Sequence, residues 1–215
     1  VGTTTVAVNL AVALARDGRR TVLVDADFAG PDCASLCRID ERYGAADVLA
    51  GRRTVHEVLQ LGPGGIQVRP ATRGLTDPAD CTPQAQERML SQLEALGPHA
   101  DVVLLEAADL VLLVTHPDTV AVMDAYAAVK LICQDQAPRA PIYCVANCAP
   151  DEIAAADVHE RLDRACRRFL GLQLSSAGFL PFDPCVPRAA AEQHPFLIDA
   201  PEGTAALGID RLATE

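Results

Sequence analysis

The chain has 215 residues, 50% of them apolar, with 29 acidic against 18 basic side chains and a formal net charge of −11. That length and apolar content suit one α/β domain with a full core and exclude a disordered chain. The acidic balance argues against a general nucleic-acid surface, which needs a basic face, and nothing reads as a transmembrane run or a signal peptide.

The sequence opens on Val1-Gly2-Thr3-Thr4-Thr5 and runs into an apolar helix from Val6 to Ala15. A glycine turn that opens a helix aims free backbone N–H groups and the positive end of the helix dipole at one spot, which is how a chain holds a phosphate. The helix is apolar on nearly every face and is expected to lie buried against a sheet. Gly18 closes it. The next strand, Thr21 to Asp27, ends in Asp25 and Asp27, which this order of elements places at the carboxyl edge of the sheet beside the glycine turn. Phosphate plus nearby carboxylates points to a magnesium nucleotide. The alternative is a dinucleotide site with an acid on the ribose, but Gly2-Thr3-Thr4-Thr5 lacks the Gly-x-Gly-x-x-Gly that it requires.

Residues 28–32 form a loop. Short helices are predicted over 45–52 and 54–59, followed by Gly62-Pro63-Gly64-Gly65-Ile66-Gln67-Val68-Arg69-Pro70-Ala71, a mostly structural stretch. Thr82 and Pro83 start a helix as N-cap and first-turn proline; Met89, Leu90, Leu93 and Leu96 form its apolar stripe and Gly97 ends it. Residues 101–105 and 110–115 both read as buried strands, with only Glu106-Ala107-Ala108-Asp109 between them. Parallel neighbours need a crossover of roughly a dozen residues, and neither strand alternates as a half-exposed hairpin would.

The strand 141–147 ends in Asn147, whose amide offers the donor and acceptor that an adenine edge requires, or simply makes a turn. A helix over 151–170 carries Ile153, Val158, Leu162, Cys166 and Phe169 at helical spacing. Its Arg161, Arg164, Arg167 and Arg168 form a solvated face or a DNA patch, and the acidic net charge favours the former. A last helix runs from Gly203 to about Thr214. The eight cysteines are dispersed. Cys33/Cys37 and Cys144/Cys148 are four apart, but reduced core thiols are favoured over metal ligands.

Val-Gly-x-Thr-Thr, then Val8-Asn9-Leu10-Ala11 and Val-Asp-x-Asp resemble the deviant Walker A ATPases of the MinD/ParA family, whose loop reads Lys-Gly-Gly-Val-Gly-Lys-Thr-Thr. Ala-Asp-Val-Leu-x-Gly at 46–51 and the Gly62–Ala71 pattern are similar to the flagellar-number regulator branch, FlhG and FleN. The resemblance implies a doubly wound, mainly parallel α/β sheet with helices on both faces, a single P-loop NTPase domain over 1–215. The first strand and the start of the P-loop would precede Val1. Near 105–106 the switch II segment is expected to be missing, since Ala107-Ala108-Asp109 matches only the end of its helix.

The same resemblance assigns ATP/ADP and Mg²⁺ as cofactors. Gly2, Thr3 and Thr5 would hold phosphates, Thr4 and Asp25 the Mg²⁺, and Asp27 would be catalytic, orienting the attacking water. Asn147, Pro181 and Asp183 would hold the base, the last two in a loop matching Gly-x-Ile-Pro-x-Asp. The departure is Thr3, which stands where the P-loop lysine reaches the phosphates; a hydroxyl cannot replace a full charge. The helix from 119 resembles one beside the family's dimer interface, or is a surface helix.

Two readings of function follow. One is a cytoplasmic ATPase switch, polar or peripheral to the membrane in some relatives, that forms a homodimer with ATP and acts on a flagellar, pilus or polarity system. The other is a scaffold that keeps the fold and has lost turnover, recruiting protein partners. An iron–sulfur carrier of the Mrp type shares Asp27-Phe28-Ala29-Gly30-Pro31-Asp32 in outline but uses a Cys-x-x-Cys that this chain lacks. Nucleic acid is not expected as a partner, and a membrane-docking tail is not visible.

Overall fold

The computed structural model describes residues 2–25, 33–71, 82–104, 110–133 and 140–214, apart from the side chain of Gln86. They fall into two compact units, Thr4–Leu105 with Pro187–Asp199 (the β1 unit) and Val1–Thr3 with Glu106–Val186 and Ala200–Glu215 (the β6 unit).

The β1 unit is built on the expected helix. In α1 (Thr3–Arg16), Val6, Val8, Leu10, Ala11, Val12, Ala13 and Leu14 are all buried. The chain leaves it at Gly18, where the Arg19 N–H donates to the Leu14 carbonyl at 3.1 Å, and enters β1 (Thr21–Val24), buried along its whole length. β1 lies inside a four-stranded sheet of order β2-β3-β1-β4, with β3 (Gln67–Arg69) and β4 (Val102–Leu104) parallel to it. Only β2 (Gln60–Leu61) is antiparallel, joined to β3 through a 3-10 turn at Pro63–Gly65. Gly64 in that turn has φ +65, and a Cβ there would sit 2.9 Å from Val12 on α1, so the turn both needs the left-handed conformation and lets the helix close in.

Side chains alternate across a strand. Val22 and Val24 therefore share one face, which packs against α3 (Ala45–Leu49), α4 (Val55–Val58) and α5 (Pro83–Glu94). The caps of α5 are as expected: Thr82 accepts from the Ala85 N–H at 3.2 Å and Pro83 occupies the first turn. Met89, Leu93 and Leu96 are buried, but Leu90 is 49% exposed, because it lies about 100° around the helix from Met89. A short α2 (Cys33–Cys37), not foreseen, buries Cys33 and Cys37.

One polar side chain ties α1 to the end of the unit. Asn9 is 1% exposed. Its Nδ2 donates to the Thr5 carbonyl at 2.8 Å and its Oδ1 accepts from the Leu197 N–H at 2.9 Å, in α9 (Phe196–Asp199). Arg16 completes the clamp by donating to the Leu197 carbonyl at 2.9 Å.

The β6 unit holds a parallel sheet, β5 (Val111–Thr115), β6 (Ile142–Ala149) and β7 (Ser175–Pro181), with β6 in the middle. α6 (Thr119–Ile132) and α7 (Glu152–Leu170) share a core with these strands that includes Val129, Cys144, Val158, Leu162 and Cys166. α10 (Thr204–Thr214) packs on β7, where a Cβ on Gly208 would meet Leu180 at 2.9 Å. The two sheets, mainly parallel and carrying helices on both faces, give the doubly wound α/β class. β4 pairs with β1 and β5 with β6, so among the described residues the two neighbouring strands form no hairpin. The segment between them, 105–109, where a switch II gap was expected, lies outside the described residues, as does the loop over 28–32.

On α7 the apolar spacing holds for Val158, Leu162 and Cys166 and fails at its flanks: Ile153 is 82% and Phe169 66% exposed. Steps of four keep the first three on one side, while Ile153, five residues before Val158, is turned well off that stripe. The arginines form i,i+4 pairs with the helix's own acids, Arg161 with Asp157, Arg164 with Glu160 and Arg167 with Asp163, which is the solvated face. Among the described cysteines, Cys33, Cys37, Cys144 and Cys166 are core thiols and Cys133, Cys148 and Cys185 are half-buried; burial pushes Cys144 and Cys166 up to about 11, so both stay protonated.

Two outcomes are expected. Asn9→Leu strands the Leu197 N–H in the core and lowers unfolding stability by about 1–3 kcal/mol in urea denaturation, with an unchanged denaturant slope. The second concerns Asp101, whose carboxylate takes the Arg20 Nη2 at 2.6 Å and the Arg20 backbone N–H at 2.8 Å and is held down to about 2, below its ordinary 3.8. A lowered pKa contributes stability that is complete above the ordinary value and lost as pH falls through the lowered one. Thermal melts should therefore fall between about pH 4 and pH 2 less steeply in Asp101→Asn than in the natural chain.

Candidate functional site

Gly2 precedes α1 with φ +81, and a Cβ placed on it would come within 2.8 Å of the Nδ2 of Asn147. The turn therefore demands glycine on two counts, and it brings together two of the predicted residues of the β6 unit. A bulge aims the asparagine. Asn147 pairs with Leu180 and Ala149 with Pro181, so Cys148 is an extra residue, at φ 54, and its N–H donates to the Asn147 Oδ1 at 3.0 Å. Asn147 therefore lies inside β6 and does not start a turn after it: its oxygen holds the bulge, while its nitrogen lies against the glycine.

Pro181 ends β7 on the strand beside Asn147. Asp183, two residues on, is a clasp. Its Oδ1 accepts from the Cys185 N–H at 2.9 Å, at the start of α8 (Cys185–Ala191), and its Oδ2 accepts from the Thr204 hydroxyl at 3.0 Å and the Ala205 N–H at 3.2 Å, at the start of α10. The Cys185 thiol and these donors hold its carboxyl well below the usual carboxylate range. Asp183 fixes the loop after Pro181 by capping two helices.

In the β1 unit, Thr4 and Thr5 are half-buried in the first turn of α1, and Thr3 before them is exposed. α1 leads through a tight turn at Gly18 into β1. Asp25 follows β1 directly, half-buried, its N–H donating to the Arg69 carbonyl at 3.0 Å. Asp27 lies outside the described residues. Thr4 and Asp25 are hard oxygen donors of the kind Mg²⁺ takes, and the glycine turn leading into free helix N–H groups fits a phosphate.

Residues 1–196 match the CobQ/CobB/MinD/ParA nucleotide binding domain. The chain belongs to that family. It is 30% identical to the antiactivator FleN of Pseudomonas aeruginosa over 99% of this chain and 81% of FleN. By structure it resembles the cell division ATPase MinD of Pyrococcus furiosus, with a TM-score of 0.78 and 22% identity over 99% of this chain and 92% of that one. MinD of Pyrococcus horikoshii, solved with Mg-ADP, gives a TM-score of 0.77 at 20% identity over 99% of this chain and 89% of that one. Likenesses at these identities carry the fold.

Within this family two residues of the chain escaped the sequence reading. Asn9 was visible only as part of a helix pattern, though a polar residue inside an otherwise apolar helix was a signal. Arg69 was read as structural, yet it is 1% exposed at the end of β3. Burial lowers its guanidinium to about 10, against the opposing pull of Asp25. An arginine in a strand between buried apolar neighbours was the sign available.

Asp183→Ala is expected to cost about 1 kcal/mol of unfolding stability without any ligand present, as loss of a helix cap does, read from urea midpoints. An unchanged midpoint would show that the clasp contributes nothing to the fold.

Proposed function

We propose that this chain is a nucleotide-dependent switch of the MinD/ParA type, close to the FlhG branch. It binds ATP with Mg²⁺, forms a homodimer in that state and hydrolyses ATP slowly. Its output is control of the placement or number of a cell structure such as the flagellum, through protein partners. The observation that carries the reading is the left-handed Gly2 turn at the start of a buried helix, with the Asn147 amide against it. Family membership, likeness to FleN over almost the whole chain and the fold of a protein solved with Mg-ADP support it. We take residues 1–215 as one P-loop domain in this role.

The roles follow from chemistry at each position. N–H groups and hydroxyls at Gly2, Thr3 and Thr5 bind phosphate oxygens. Thr4 and Asp25 hold Mg²⁺, which when bound supplies charge neutralisation between the phosphates. Asp27 accepts a hydrogen bond from the attacking water and sets its direction. Asn147 reads the adenine edge through its amide, and Pro181 and Asp183 shape the wall beneath the base, Asp183 through its two helix caps.

The exposed Thr3 favours a second reading, a scaffold that binds nucleotide weakly and turns over little, because a neutral hydroxyl stabilises less developing charge than a lysine. Phosphate release from ATP by the protein with Mg²⁺, beside Thr3→Lys and Asp27→Ala, separates the two. Turnover that falls at least about 100-fold in Asp27→Ala is expected of the switch. Absent turnover that Thr3→Lys restores assigns the scaffold.

A further inference from the structure

The chain places no lysine at position 3, yet it buries a cation at the end of β3, beside Asp25. β1 and β3 are parallel, with Val24 paired to Arg69, and the Asp25 N–H donates to the Arg69 carbonyl at 3.0 Å, so Arg69 and Asp25 lie at one edge of the sheet. Arg69 is 1% exposed, and among the described residues its Nε and Nη1 have no hydrogen-bond acceptor. Asp25 is the carboxylate whose charge acts on it. A guanidinium carries five N–H donors in a fixed fork that matches carboxylate or phosphate oxygens. Leaving such donors unsatisfied in the interior is costly, and a hydrophobic residue of similar volume at the same place would be the more stable choice for packing alone.

We propose that Arg69 is the cation of the nucleotide site, completed by phosphate oxygens when nucleotide binds and standing in for the charge that Thr3 does not provide. The inference rests on the nucleotide-binding reading of this edge. Asp25 is also the carboxylate assigned to Mg²⁺ there. With two cations sharing one carboxylate, the guanidinium is left shorter of negative charge, and the phosphate chain restores the balance. Geometry also separates Arg69 from a lysine at position 3: it comes from β3 rather than from the loop, so its charge is held by the sheet before any ligand arrives, a preorganised donor of the kind that stabilises developing charge.

The test uses Arg69→Met, which keeps the volume and removes the charge, and Arg69→Lys, which keeps the charge. ADP and inorganic pyrophosphate are titrated calorimetrically into each protein, with Mg²⁺ and with EDTA, and the melting temperature is read without ligand. The expected result is a ligand-free melting temperature in Arg69→Met equal to or above that of the natural protein, with affinity for both probes weaker by about tenfold or more and a smaller loss in Arg69→Lys. A lowered melting temperature with unchanged affinity overturns the proposal and makes Arg69 a structural partner of Asp25. Should Arg69→Met fail to fold, the Arg69 Nε–H resonance of the natural protein, assigned by its disappearance in Arg69→Lys, decides: a shift with pyrophosphate supports the role and an unmoved signal overturns it. If the natural protein binds neither probe, the nucleotide reading itself fails and this inference with it, whereas binding that ignores Arg69 leaves that reading standing.

Discussion

Burial of α1 is the constraint on which the rest depends. A helix that is apolar on nearly every side has nowhere to go but the interior, and with Val6 through Leu14 almost wholly enclosed it cannot shift along its axis without opening the core. The few polar groups that enter this interior act as locators: Asn9 ties the first turn of α1 to α9, and Arg16 holds the same backbone from the other end. The setting of Gly2 to Thr5 is then a property of where a greasy helix has to lie.

The β6 unit is organised on a different principle. There the backbone carries irregularities, an extra residue at Cys148 and a register shift further along β6 and β7, and these decide the direction of Asn147 and the start of the loop after Pro181. Bulges next to ligand sites re-aim side chains that a regular strand would send elsewhere. Asp183 then locks the result by capping two helices with one carboxylate. A residue that in the sequence looks like a ligand contact is, in the structure, the cap of two helices.

Charge is the feature by which this chain departs from the loop pattern of the family it resembles. Position 3 holds a hydroxyl, while a guanidinium is buried at the end of β3 beside Asp25. That guanidinium is held from the strand side, in a dry and fixed environment. The protein's acidic surface and the self-paired arginines of α7 leave this buried cation distinct from the solvated charges elsewhere.

Much of this was legible in the residues alone. The glycine turn, the all-round apolar α1, the caps at Thr82 and Pro83 and the strands that became β1, β4, β5 and β6 follow from local propensity and periodicity, which a chain expresses in its own order, while the mainly parallel α/β class came with the family resemblance. The sequence by itself also determined the family and the substitution at position 3. Only the tertiary structure decided that Leu90, Ile153 and Phe169 stay exposed while Arg69 is enclosed, that Asn147 meets Gly2, and that Asp183 spans α8 and α10. Those facts depend on which surfaces meet between elements far apart in the chain, and burial and hydrogen-bond partnership are properties of that meeting, not of the residue.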